Sequence, residues 1–274
     1  MKIIGISGRK QAGKNTTANI FHGLVLEHYG LAQKWAIDDD GALKVLTHDS
    51  VGNLGWGEFD VTRKDDEFAS YANENMWPYV KLYSFADELK RMCTYLFDIP
   101  HEHVWGTDEQ KNTVQPHLLW ENMPGVVTPD NYSSLTNQYN ESSADFQDHW
   151  GVIVHEAGPM TSREFMQFLG TEIMRKMYEP VWVNATIKKI KAEGSQLAII
   201  ADVRFPNEAT AIEGAGGLLL RLTRKPFGED THSSELALDD YPFKHVIDNR
   251  ELSLVNFQTN ARDFFNNHLV SLQR

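Results

Sequence analysis

The first seventeen residues, MKIIGISGRKQAGKNTT, constrain this chain more than any other stretch. Lys2 to Ser7 is a short apolar run with β-branched residues, closed by Gly8, and predicts a buried strand. Gly8-Arg9-Lys10-Gln11-Ala12-Gly13-Lys14 follows with the spacing of a phosphate-binding loop. Asn15-Thr16-Thr17-Ala18 then opens a helix with Ala18, Phe21, Leu24, Val25 and His28 on one face. A strand, a glycine-bounded loop and a helix start aim backbone N–H groups and the positive helix end at one point. Gly8 and Gly13 permit backbone angles and close approach that a side chain blocks. Lys14 is placed to reach a phosphate tail. G-x-x-x-x-G-K occurs by chance in roughly one chain in ten of this length. Its position between a strand and a helix removes most of that chance. One departure stands out: Asn15 occupies the place of the usual Ser/Thr, whose hydroxyl helps hold Mg²⁺.

With 274 residues there is room for one large α/β domain with insertions or for two small domains. A hydrophobic content of 41% and an aromatic content of 11% suffice for a packed core. The net charge of −12 argues against a nucleic-acid polymer as partner, since polyphosphate binding wants a broad basic surface. A small phosphorylated ligand needs only a local cluster of Arg and Lys. The single cysteine, Cys93, lies in the helical stripe Leu89, Met92, Cys93, Leu96 and reads as a core thiol. No disulfide within the chain is possible, which suits a reducing cytoplasm. Met1 leads straight into the first strand with no signal peptide, and no run approaches the ~20 apolar residues of a membrane span. The expectation is a cytoplasmic protein without a membrane partner.

After the first helix, the acidic run Asp38-Asp39-Asp40 reads as a solvated loop, and Leu43 to Thr47 and Glu58 to Val61 as strands paired across a Gly-rich turn. Val80 to Phe85 is the second core strand, and Ala86 to Phe97 an amphipathic helix. Residues 98–160 read as an insertion packed on the core through Trp105, Trp120, Tyr132, Tyr139 and Trp150. His101 and His103 have no partners at metal-ligand spacing. Thr161-Ser162-Arg163-Glu164 has capping-box spacing and opens a helix to about Met177, with Phe165, Phe168, Leu169 and Ile173 as its apolar stripe. On another face Arg163, Gln167 and Thr171 recur every four residues, beside Gly170 and with Arg175 near the end. That face is either a solvated surface or a place to recognise an anionic, hydrogen-bonding ligand. Another helix runs from Pro180 to about Glu193.

Leu197 to Ala201 is a continuous apolar strand ending in Asp202. In open parallel sheets the ligand crevice lies outside the carboxyl ends of the strands. Asp202 therefore falls beside the phosphate loop if this strand neighbours the first, an arrangement that holds Mg²⁺ in phosphoryl-transfer enzymes. Val203 to Glu208 turns into a helix. Leu218 to Leu222 and His245 to Asp248 complete the strands, and a last helix carries Leu254, Phe257, Ala261, Phe264 and Leu269. Five core strands separated by helices predict α/β class: a three-layer sandwich around a five-stranded parallel sheet.

Together these motifs resemble the bacteriophage deoxynucleoside monophosphate kinases, within the adenylate-kinase-like P-loop kinases. The resemblance rests on GRKQAGKNTT (8–17), FADELK (85–90), REFMQFLGTEIMR (163–175), DVRFPNEA (202–209), GLLLRLTR (217–224) and HSSE (232–235). Human-type phosphomevalonate kinases look like relatives of the same group. The resemblance implies a single P-loop kinase domain over 1–274, with 31–79 as an acceptor-side insertion and 224–240 as a lid. It implies transfer of the γ-phosphoryl group of ATP to a deoxynucleoside 5′-monophosphate, with Mg²⁺ as cofactor and small nucleotides as partners. A homodimer is plausible for such a family. On this reading Gly8, Arg9, Lys10, Gln11, Ala12, Gly13, Lys14, Asn15, Thr16 and Thr17 bind ATP, and Lys14 stabilises the transferring group. Asp202 and Asn15 serve the metal. Arg163, Gln167, Thr171 and Arg175 hold the acceptor, with Arg204 at its phosphate. Arg224 and Lys225 belong to the lid. A kinase for another phosphorylated acceptor and a non-catalytic nucleotide-binding regulator are the competing readings.

Overall fold

The computed structural model describes residues 1–48, 51–63, 65–133, 151–224 and 237–270. Two compact units are present, one made of 1–87 with 182–274 and the other of 88–181. The first contains β1 (Lys2–Ser7), α1 (Lys14–His28), β2 (Trp35–Ile37), β3 (Leu43–His48), β4 (Leu54–Glu58), α2 (Asp66–Asn75) and β5 (Val80–Tyr83). The second holds most of α3 (Asp87–Phe97), then α4 (His101–Trp105), α5 (Asp108–Lys111), β6 (Val114–Leu119), β7 (Val126–Val127), β8 (Ile153–Val154) and β9 (Pro159–Thr161). It closes on α6 (Ser162–Gln167), which continues as a π-helix over Phe168–Arg175. The chain then returns to the first unit with α7 (Val181–Glu193), β10 (Leu197–Val203), α8 (Pro206–Gly214), β11 (Leu218–Leu222), β12 (His245–Ile247) and α9 (Leu254–His268).

Five strands form one all-parallel sheet in the order β12-β11-β1-β10-β5. Both of its faces are covered, as the continuous apolar strands require. Ile4, Ile6, Ile199, Leu220 and Leu222 point into a core shared with α1 and α9. Ile3, Ala198, Ile200 and Leu219 point the other way, onto Val183, Ile190, Ala209 and Ile212 of α7 and α8. The expected α/β three-layer architecture is therefore present. α1 differs from the predicted one-sided stripe: Thr17, Ala18 and every residue from Ile20 to Leu26 are buried. Phe21 packs on Phe264 and Phe265 of α9, and the other flank of α1 meets β2.

Several strand boundaries moved, and β5 ends at Tyr83, two residues short of the expected Phe85. The partner of β3 is Leu54–Glu58 rather than Glu58 to Val61, because Gly52 alone takes the left-handed turn (φ 90°) while Gly55 and Gly57 stand in the ladder opposite Thr47 and Val45. β10 runs to Val203, two residues past the predicted end. Gly5 pairs with Ile200 but Ser7 with Val203, so one extra residue is inserted in β10 at Ala201–Asp202. Such a bulge bends the strand and re-aims a side chain.

In the second unit, β6 pairs antiparallel with β9 and β7 parallel with β8, over a core of Cys93, Ile99, Val104, Leu118, Met160, Phe165, Phe168 and Leu169. Gln115 is buried; its amide donates to Ser162 Oγ (2.8 Å) and faces His103 Nδ1 (3.0 Å). Trp120 stacks on His155 and meets Phe168 edge-on. Of the expected anchors, Tyr139 and Trp150 lie outside the described residues. Leu96, placed in the Cys93 stripe, is 69% exposed; it lies in the last turn of α3, where Phe97 and Ile99 carry the packing instead.

Two outcomes follow from this packing. A Cβ at Gly23 would collide with the indole of Trp35. Gly23→Ala should therefore lower stability by about 1–2 kcal/mol, although the same change in an open helix stabilises by about 1 kcal/mol. Urea denaturation reads the sign. Burial pushes the Cys93 thiol up to about 12. The folded protein should react with a disulfide reagent at about pH 8 only on unfolding, releasing one equivalent in denaturant.

Candidate active site

Residues at the carboxyl ends of β1, β10 and β11 line a cavity of about 570 Å³, within the range of small-ligand sites. Its wall includes Lys10, Gln11, Gly13, Lys14, Asn15 and Thr16 from the phosphate loop, and Asp202, Arg204 and Arg224 from the strand ends. Residues from both ends of the chain thus meet in one place because β1 is flanked by β10 and β11.

The loop is shaped by its backbone. Gln11 (φ 57°) and Gly13 (φ 98°) both take the left-handed conformation, and the Ala12 N–H between them donates to the Arg9 carbonyl (3.1 Å), closing the loop into a tight turn before α1. Gly13 is the N-cap of α1 and supplies no side-chain acceptor to the first-turn N–H groups. No acidic residue sits in that turn, so the donors and the helix dipole are left to serve a ligand. Lys14 Nζ donates to the carbonyls of Gly8 (2.7 Å) and Arg9 (2.8 Å), folding over the loop.

Four of the expected ATP-binding positions do not line the cavity. Gly8 packs against Ala12 and Leu222 with no space for a side chain. The Ala12 side chain is fully buried. Thr17 is buried as well, its hydroxyl donating to the Gly13 carbonyl at 2.9 Å. The Arg9 guanidinium pairs with Asp239 and lines a separate cavity with Arg221 and Phe243.

Asp202 stands in the bulge of β10. Its Oδ2 accepts the Ser84 hydroxyl at 2.5 Å, while Oδ1 is enclosed with no hydrogen-bond partner. Burial pushes this carboxyl above the ordinary carboxylate range and the charge of buried Asp87 adds to the rise; the Ser84 hydroxyl, the Arg204 charge and the Phe85 backbone N–H oppose it without cancelling it. An enclosed carboxylate oxygen lacking a donor, beside a phosphate loop, fits a divalent cation. Arg204 precedes α8; its backbone N–H and that of Phe205 donate to buried Glu208 (2.7 and 3.0 Å), which fixes the turn that carries the guanidinium.

Sequence reasoning missed several groups. Asn249 is buried and bonds through both amide atoms: Nδ2 donates to the Ala12 carbonyl (2.7 Å), and Oδ1 accepts the N–H groups of Thr223 (3.1 Å) and Arg224 (2.9 Å). It ties the phosphate loop to the segment bearing Arg224, and nothing local in the sequence announces a partner 237 positions away. Leu252, Leu254 and Phe257 give the cavity an apolar wall. The acidic run is at its rim: Asp38 closes a turn by accepting from Ala42 and Asp40, Asn19 donates to the Gly41 carbonyl, and exposed Asp39 and Asp40 line the cavity. Among the described residues no cluster of three His, Cys, Asp or Glu is arranged to hold a metal.

Arg163, Gln167, Thr171 and Arg175 belong to the second unit. The capping box is formed as expected, with Thr161 and Glu164 bonding reciprocally. Arg163 donates to Asp108 Oδ1 (2.6 Å) and Asn112 Oδ1 (3.0 Å), both in or next to α5. Gln167 and Thr171 are exposed. The π-helical stretch widens the turns after Gln167, and residues four apart still fall close to one side of it. Lys225, His232 and Glu235 lie outside the described residues.

Asp202→Asn should stabilise the ligand-free protein. Because the folded state raises this pKa, ionisation costs stability above the folded value, and the cost vanishes once pH drops below the unfolded one. The melting temperature of the variant should exceed the parent's near neutral pH, with the gap closing in acid.

A model of the deoxynucleotide monophosphate kinase family matches residues 109–259, more than half of the chain. That span starts beyond the phosphate loop and contains β10 and β11, so loop geometry and family match are separate observations. A protein of Acanthamoeba polyphaga mimivirus named "Putative deoxynucleotide monophosphate kinase" is 27% identical over 192 residues, covering 64% of this chain and 75% of the viral protein. The chain belongs to the deoxynucleotide monophosphate kinase family, a family of phosphotransferases.

Proposed function

We propose that this protein transfers the γ-phosphoryl group of ATP to the 5′-phosphate of a deoxynucleoside monophosphate, giving ADP and the deoxynucleoside diphosphate. An acceptor phosphate oxygen bonds to Pγ while the bond from Pγ to the β,γ-bridging oxygen breaks. The acceptor is already ionised, so no general base is needed; positioning and charge neutralisation carry the reaction. The observation that supports this best is one cavity bringing the glycine-bounded loop at the start of α1, Lys14, Asp202, Arg204 and Arg224 together. In this reading the loop takes the β- and γ-phosphates, and Leu252, Leu254 and Phe257 take the purine. Arg204 and Arg224 neutralise charge on the transferring group. Asp202, with Asn15 beside the loop, serves a Mg²⁺ ion that would screen the phosphate charges.

Arg163, Gln167, Thr171 and Arg175 are proposed to hold the acceptor, with 31–79 and 98–160 as insertions on the kinase domain and 224–240 as its lid. The Arg163 guanidinium is preset by Asp108 and Asn112, a geometry suited to an anion. A place in viral nucleotide supply fits the mimivirus relative.

A coupled assay with ATP and each of the four deoxynucleoside monophosphates tests this reading. ADP should appear only when an acceptor is added. Lys14→Met should reduce turnover on the order of 10³-fold with the melting curve preserved. ADP release without acceptor dependence, or acceleration by phosphomevalonate instead, would replace the proposal. Arg163→Ala should raise the acceptor KM about tenfold or more and leave the ATP KM within about twofold.

A further inference from the structure

Ser84 lies one residue past the end of β5, on the strand that pairs with β10. We propose that Ser84 is a positioning residue for the divalent cation: its hydroxyl holds Asp202 Oδ2 and thereby reserves Oδ1 for the metal. This rests on the Mg²⁺-nucleotide reading above.

Three features carry the inference. First, the hydroxyl is oriented from its own side. Ser84 Oγ accepts the Ala86 N–H (3.1 Å), its backbone N–H donates to Asp87 Oδ2 (3.3 Å), and its carbonyl accepts the Asp87 N–H (3.1 Å). With a lone pair engaged by Ala86, the proton is free to point at Asp202, 2.5 Å away. Second, the register asks for a clamp. β5 and β10 pair up to Tyr83 and Ile200, and the extra residue in β10 falls directly after, where Asp202 leaves the regular ladder. A carboxylate in a bulge rotates between nearly equivalent settings unless one oxygen is held. Third, the two oxygens are chemically unequal. Oδ2 has its donor, whereas Oδ1 is enclosed with none, and a buried charged oxygen does not persist without compensation. Groups that orient a metal-holding carboxylate in this way commonly contribute 10- to 100-fold in metal affinity.

A role confined to the turn before α3 makes a different forecast, because loosening that turn would weaken nucleotide binding with and without metal alike. The test uses the full chain. Mn²⁺ is titrated into the protein–ADP complex, following the EPR signal of unbound Mn²⁺, and ADP binding without metal is measured by calorimetry in EDTA. Ser84→Ala should weaken Mn²⁺ binding about tenfold and leave the metal-free ADP constant within about twofold. Ser84→Thr, which retains the hydroxyl, should recover most of the loss. Unchanged Mn²⁺ affinity in Ser84→Ala overturns the proposal, as does an equal loss in both titrations or a threonine no better than alanine. Should Ser84→Ala fail to fold, Ser84→Cys gives the same comparison with a weakened donor. Parent protein that binds ADP yet takes up no Mn²⁺ overturns the cation reading itself, and this proposal with it.

Discussion

Parallel hydrogen bonding of β1 to β10 on one side and β11 on the other determines what this protein can hold. Because all five strands run the same way, their carboxyl ends share one edge, and each strand delivers its following residues there. β1 delivers the phosphate loop, β10 delivers Asp202 and Arg204, and β11 delivers Arg224. A strand inserted between β1 and β10 would carry Asp202 about 5 Å further away, and one reversed strand would send its residues to the opposite edge. The site is therefore a consequence of strand order, and strand order depends on helices able to cover both faces.

Local chemistry then refines what topology delivers. Gly13 tolerates the left-handed turn that starts α1, and Gln11 adopts a similar conformation without a glycine's freedom. A non-glycine residue held there costs of order 1 kcal/mol, so surrounding contacts must overdetermine it. Asn249 supplies such contacts. One buried amide bonds three backbone groups from two segments, and removing it would leave all three without their partner. Leaving buried polar groups unpaired costs about 1–3 kcal/mol each, enough to make the loop's shape depend on a residue two positions beyond β12.

What could be read from the sequence divides along the range of the interactions involved. The core strands are legible because apolar runs between helical stripes have few other solutions, and the phosphate loop because its glycines and lysine act within a dozen residues. The capping box at Thr161 is equally local. Failures begin where the partner is remote. α1 looks amphipathic on its own but is buried nearly all round, since α9 and β2 cover flanks that its own residues do not mark. The bulge at Ala201–Asp202 leaves no trace in the sequence, where the apolar run reads as a strand that stops at Ala201; only the register with Gly5 and Ser7 reveals it. Asn249 and Ser84 are ordinary polar residues near strand ends, and their roles depend on neighbours brought in by the sheet. The π-helix after Gln167 leaves no mark in the spacing of Arg163, Gln167 and Thr171, which suits a plain α-helix equally well.

The two ends of β5 show how buried charge separates structure from function. Near its start, Lys81 is buried with its ammonium 2.7 Å from Glu193 and 3.8 Å above the Trp77 ring, while the Tyr83 hydroxyl donates to the same carboxylate at 2.7 Å. Burial pushes Glu193 up, but Lys81 and Tyr83 outweigh it and hold the carboxyl below its usual range. Every charge there has its counterpart, and the cluster needs nothing from outside. At the other end Asp202 has one oxygen satisfied, one not, and a second carboxylate, Asp87, close enough to raise its pKa. Side chains of β5 close the first charge, whereas the second, on the neighbouring β10, keeps one oxygen without a hydrogen bond. Arg204 is near enough for its charge to favour the ionised form of Asp202, yet burial outweighs it. The incomplete end faces the phosphate loop, and the compensation it lacks is what a cation accompanying a polyphosphate supplies.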